Sequence, residues 1–158
     1  MKPDDKVLAE AILKYVCVGR RICAVNFYTV PILEIDVVNE PKFESDISLT
    51  IESEWRVFDQ LPVNIPIIQF PDSVVDQNRT SELICAMAYL GWYRIIDARL
   101  GDDIPHLLLK FENGKTLFIN GHHDMYESWN LSAGKFMIVA TPGDEITIWH
   151  PDTFAREN

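Results

Sequence analysis

Basic residues are scarce in this chain. It has 14 Lys and Arg against 24 Asp and Glu, a formal charge of −10 and a pI near 4.7. That balance argues against a nucleic-acid grip built on a Lys/Arg patch, and it permits a basic partner. Cysteine is also sparse. Cys17, Cys23 and Cys85 are an odd number, in no disulfide framework and no metal-ligand spacing. They read as buried free thiols in a reducing cytoplasm. No apolar run approaches the roughly 20 residues of a membrane span. The opening MKPDDKVLAE has no apolar stretch of the signal-peptide kind. Only 7 glycines are present, and none builds a phosphate-cradling loop. No G-x-S-x-G elbow occurs, and no cysteine sits in a nucleophile's Cys/His context. Taken together, these absences lead us to expect a cytoplasmic protein that is not an enzyme and holds no metal or cofactor.

What is there is enough for a core. The chain has 158 residues, 47% of them hydrophobic and 24% charged, which is ordinary for one soluble globular domain. Its clearest local signal is Asn113-Gly114 between two apolar runs, the mark of a β-hairpin. The register follows from face-matching. A two-residue loop would put Leu117 and Ile119 on the face of Lys110 and Glu112. A three-residue loop, Glu112-Asn113-Gly114, pairs Phe111 with Lys115, Leu109 with Leu117 and Leu107 with Ile119. That gathers all five apolar side chains on one face, so it is the expected register, with Gly114 left-handed in a bulge.

Around this hairpin the chain divides into similar parts. Asp4 to Val18 has helical spacing at Leu8, Ala11, Ile12 and Tyr15, with acidic residues at its start and Gly19 as its stop. Strands are expected at Arg21–Tyr28 and Ile32–Val38. A third alternates through Ile47, Leu49 and Ile51 and continues to Phe58. The stretch 61–77, rich in proline at Pro62, Pro66 and Pro71, reads as an extended connector lying on the body. Thr80–Leu90 is a second helix, capped by Thr80 or Ser81 and carrying Leu83, Ile84 and Met87 on its apolar stripe. Then follow Arg94–Leu100, the hairpin, a strand around Trp129, and a last hairpin of Phe136–Ala140 and Glu145–Trp149. Its turn, Thr141-Pro142-Gly143-Asp144, suits type II geometry.

Arg21-Ile22 opens one series of strands, and Glu52-Ser53-Glu54-Trp55 closes it. Arg94-Ile95 and Glu127-Ser128-Trp129 do the same 33 and 34 positions along, Ile22 to Trp55 and Ile95 to Trp129. The expected fold is α+β and mostly antiparallel. It consists of two repeated β-meander halves, 4–60 and 78–150, with one or two helices.

Two clusters compete for function. Gly121-His122-His123-Asp124, with Glu127 close by, would serve a small ligand or a metal if its side chains converged. Adjacent strand histidines point to opposite faces, and His106 and His150 are far away in sequence, so a polar interstrand loop is the simpler reading. Trp55 and Trp129 read as core anchors rather than a ligand-stacking pair. The other cluster is acidic. Between Glu34 and Asp59 lie eight acidic residues against Lys42 and Arg56, a net −6. Such a stretch is either a solvated face that aids solubility or a docking surface for a basic protein.

One pattern resembles a known group. Leu107-x-Leu109-x-Phe111-x-Asn113-Gly114-x-x-Leu117 is followed by Tyr126-Glu127-Ser128-Trp129 and Pro142-Gly143-Asp144-x-Ile146-x-Ile148-Trp149. It resembles small bacterial β-rich proteins, some of them similar to immunity proteins of polymorphic and contact-dependent growth-inhibition toxin systems. The resemblance covers the last third of the chain and brings no catalytic residues. It implies a cytoplasmic immunity protein that binds a cognate toxin domain and neutralises it by occluding its active site, and the acidic charge points to a basic nuclease as that toxin. The residues expected to bind that partner are Asp36, Glu40, Phe43, Glu44, Asp46 and Glu54. The competing reading is a small-ligand- or metal-binding protein that uses the His122-His123 loop.

Overall fold

The computed structural model describes residues 1–27, 29–36, 46–61 and 77–154, apart from the side chains of 77–80 and 83. Among the described residues two helices and ten strands make the expected α+β, mainly antiparallel fold. In order they are α1 (Pro3–Cys17), β1 (Ile22–Phe27), β2 (Pro31–Ile35), β3 (Ile47–Ile51), β4 (Trp55–Phe58), α2 (Gln77–Leu90), β5 (Ile95–Leu100), β6 (Leu107–Phe111), β7 (Thr116–Ile119), β8 (Trp129–Ala133), β9 (Phe136–Thr141) and β10 (Glu145–Trp149). One sheet has the order β1-β2-β3-β8-β9-β10 and the other β4-β7-β6-β5.

The two sheets are not two separate halves. Each half has a helix, a three-strand meander and a fourth strand that pairs with the meander of the other half, and the second half adds β9 and β10. Ile51 of β3 faces Trp129 of β8, and Trp55 of β4 faces Ile119 of β7. The crossings are matched in the backbone too. Glu52 N–H donates to Ser128 O at 2.9 Å, and Asn120 N–H donates to Glu54 O at 2.8 Å. Both meanders open with an irregular register, between Ile22 and Ala24 and between Ile95 and Asp97. In both, the residue after the second strand bonds back to an arginine carbonyl, Asp36 N–H to Arg21 O and Glu112 N–H to Arg94 O. This corrects the expected role of the two tryptophans. Each begins the exchanged strand rather than ending a third one, and Ile47–Phe58 is two strands in different sheets.

The exchange produces one core. Buried side chains of α1 (Ile12, Leu13, Val16), β3 (Ile47, Leu49, Ile51), β6 (Leu107, Leu109, Phe111) and β8 (Trp129, Leu131) belong to a single cluster. Each fully buried aliphatic or aromatic side chain there contributes roughly 1.5–3 kcal/mol of transfer free energy. Helix α1 presents Ala9, Ile12, Leu13, Val16 and Cys17 inward, so its buried stripe is rotated from the expected one and Tyr15 is exposed. It packs against β5, the first strand of the other half's meander.

The organising hairpin has the expected register. Leu107 pairs with Ile119 and Leu109 with Leu117; Phe111 N–H donates to Lys115 O, and Gly114 has φ +84°. Its other face is buried as well, at Leu108 and Phe118, where Phe58 and His106 lie against Phe118. Helix α2 begins at Gln77, before the expected cap at Thr80 or Ser81. The expectation of three buried thiols holds only for Cys17, whose pKa burial pushes up to about 12 and which is therefore inert. Cys23 is exposed at the irregular opening of β1, and Cys85 lies on the exposed side of α2. Among the described residues no helix is long and apolar enough to cross a membrane.

Candidate functional site

The two crossings differ in length, and that difference creates the site. From Ile51 to Trp55 the chain turns through three residues, Glu52, Ser53 and Glu54. From Ile119 to Trp129 it takes nine, Asn120 through Ser128. The extra length is a loop carrying His122, His123, Asp124, Met125, Tyr126 and Glu127.

Polar contacts hold the loop from its base upward. Asn120 is buried and shares itself three ways. Its Nδ2 donates to Glu54 Oε2 at 2.9 Å and to His122 O at 3.2 Å, while its Oδ1 accepts from His122 N–H at 3.1 Å. Ser53 Oγ–H donates to Asn120 O. Gly121 N–H donates to His106 Nδ1 at 3.0 Å, which fixes that buried ring with its other nitrogen protonated when neutral. Trp129 Nε1–H donates to Pro105 O at 2.8 Å just below. His106 is thus part of the base of this loop, despite its distance in sequence.

The loop's outer part is pinned by both histidines. His122 Nδ1 lies 2.6 Å from Asp144 Oδ1, on the turn between β9 and β10. Asp144 has φ +62°, a left-handed conformation that Asp tolerates better than most residues. Gly143 has φ +81°, as the Pro-Gly turn requires. His123 Nδ1 accepts from the backbone N–H of Met125 at 3.1 Å and of Tyr126 at 3.0 Å. Its ring lies 5.1 Å from that of Tyr126. One ring nitrogen of each histidine is engaged in this way, and the other nitrogen of His122, Nε2, lies 3.8 Å from Asp124 Oδ1. Among the described residues no three or more His, Cys, Asp or Glu side chains form a group that could hold a metal ion.

His122 and His106 have opposite pH dependence. The Asp144 carboxylate raises the pKa of His122 above its ordinary 6.5, and burial lowers that of His106. A raised histidine stabilises the fold fully below the unfolded pKa, and the contribution is lost as pH rises through the folded value. A lowered one does the reverse: stability is lost as pH falls below 6.5 toward the folded value. A proton NMR titration should therefore place the His122 midpoint above 6.5 and the His106 midpoint below it. Asp144→Asn should bring His122 back toward 6.5. A wild-type His122 midpoint at or below 6.5 would mean the pair does not hold in solution.

The structure separates the expected partner-binding residues. Ile35 pairs with Ile47, so Asp36 and Asp46 come side by side at one end of the six-stranded sheet. Asp46 is exposed and Asp36 half-buried. Glu40, Phe43 and Glu44 belong to the 37–45 segment between them and lie outside the described residues, as does most of the connector, 62–76. Glu54 is elsewhere. It follows the opposite end of β3, about 17 Å of strand away at roughly 3.4 Å per residue, and is engaged by Asn120. Sequence reasoning missed Asn120, His106 and Pro105 as the loop's support. Only the glycine next to the His pair gave any sign of a close approach. The chain matches no family model, no curated protein and no solved structure.

Proposed function

We propose that this chain is an immunity protein. It binds a cognate toxin domain, a basic nuclease, in the cytoplasm and neutralises it by covering the active site. The observation that supports this reading most directly is the position of Asp36 and Asp46, each next to the last paired residues Ile35 and Ile47 at one sheet end. They flank the segment that carries Glu40, Phe43 and Glu44, within a stretch whose net charge is −6. A strand-anchored acidic end is suited to a cleft that grips phosphates with Lys and Arg. Matched charge speeds encounter and fixes partner choice, and its effect weakens with salt.

The test is binding and protection with the toxin domain of the neighbouring gene, where that gene encodes one. The complex should form quickly at low salt and more slowly as ionic strength rises. Asp36→Lys/Asp46→Lys should reduce the association rate by about tenfold, the scale of electrostatic steering. Survival of both rate and protection after that reversal would place the interface elsewhere. Failure of the wild-type chain to form a complex would refute the immunity reading itself.

A further inference from the structure

The longer crossing is more than the fold requires. Its counterpart joins the two sheets through Glu52, Ser53 and Glu54 alone, with the same backbone bond on the other side. The additional residues place two large apolar side chains in water: Met125 is 71% exposed and Tyr126 63%. They are not on a loose loop. The amides of both are bonded to His123 Nδ1, the Tyr126 ring rests against the His123 ring, and His122 is tied to Asp144. Apolar groups displayed on a held backbone bind with little further ordering cost. Tyr is among the residues that most often dominate an interface, and Met adapts its shape to a partner. Around them Asp124, Glu127 and Glu52 are exposed, with Glu52 bonded through its amide to Ser128. A surface of this sign complements a cationic partner and repels an acidic one.

We propose that the loop from Gly121 to Glu127 is a second docking point for a basic protein, with Tyr126 and Met125 as its anchor. This rests on the immunity reading and adds to it. The toxin domain is held at the Asp36–Asp46 end and again at this loop beyond the far end of β3.

The probe is a catalytically inactive form of that neighbouring toxin domain, titrated against the full chain by calorimetry and surface kinetics. Met125→Ala/Tyr126→Ala should weaken Kd by about 30-fold or more, mainly through faster dissociation. Tyr126→Phe should keep most of the affinity, because the ring supplies the contact. Glu127→Lys changes an exposed side chain and should slow association with little change in dissociation. Thermal melts of each variant should match the wild type, which separates lost contact from lost fold. If the wild-type chain forms no complex, the immunity reading fails and this inference fails with it. If a complex forms and the double alanine variant and Glu127→Lys both bind as wild type, only the docking loop is refuted.

Discussion

Trp129→Ala should lower stability by about 4–6 kcal/mol, combining the usual loss for a large buried aromatic with the loss of a buried hydrogen bond. Trp129 is fully buried, faces Ile51 across the crossing, and donates its indole N–H to Pro105 O. Truncation leaves a cavity where the two halves exchange strands, and it leaves the Pro105 carbonyl without that donor. For a chain of this length the melting midpoint should fall by roughly 10–20 °C. Trp129→Phe keeps most of the buried area and loses the donor and part of the ring, so it should cost about 1–3 kcal/mol. Trp55 occupies the matching position opposite Ile119 but is only half-buried, so Trp55→Ala should cost clearly less than Trp129→Ala. Urea and thermal unfolding measure all three. Equal losses at the two tryptophans would show that stability is not concentrated at the β3–β8 crossing.

That crossing also marks the limit of what the sequence could reveal. The hairpin register was readable because two local signals agreed, the Asn-Gly turn and the alternation on both sides of it. The corner between β3 and β4 was not readable. Ile47, Leu49, Ile51, Trp55 and Val57 stay in phase through Ser53, so the alternation runs on while the strand changes sheet. Which sheet a strand joins depends on partners some eighty residues away, Trp129 for Ile51, and no local period encodes that. The repeat itself was visible as spacing, and its exchange of fourth strands was not.

The site shows the same division. Acidic charge between Glu34 and Asp59 is plain in the sequence. Its division between the two ends of β3 depends on strand pairing, which brings Asp36 to Asp46 and leaves Glu54 with Asn120. The His122-His123 pair suggested ligand chemistry. The fold uses His122 to tie two turns together and His123 to accept two amides, which are positioning roles. A loop built in this way presents what lies beyond the histidines, Met125 and Tyr126, rather than the histidines themselves.

Gly121→Ala tests whether the base of that loop is as closely built as its contacts imply. A Cβ added at Gly121 would lie 2.2 Å from both C and O of Pro105 and 2.6 Å from His106 N. All three are backbone atoms, so no side-chain rotation relieves the overlap. The loop would have to move away, breaking the Gly121 N–H to His106 Nδ1 bond. The carbonyl in the way is the one that accepts from Trp129. Overpacking of about 1–3 kcal/mol and one or two hydrogen bonds near 1 kcal/mol each give an expected loss of about 2–4 kcal/mol. Gly114→Ala is the control. Gly114 has φ +84° with open space around its absent Cβ, so that change carries only the left-handed penalty of roughly 1 kcal/mol. Combining Gly121→Ala with Trp129→Phe should cost less than the sum of the two, because both act on the Pro105 carbonyl. A Gly121→Ala loss no greater than that of Gly114→Ala, or strict additivity with Trp129→Phe, would show that the loop base yields easily. The fixed presentation of Tyr126 would then lose its physical basis.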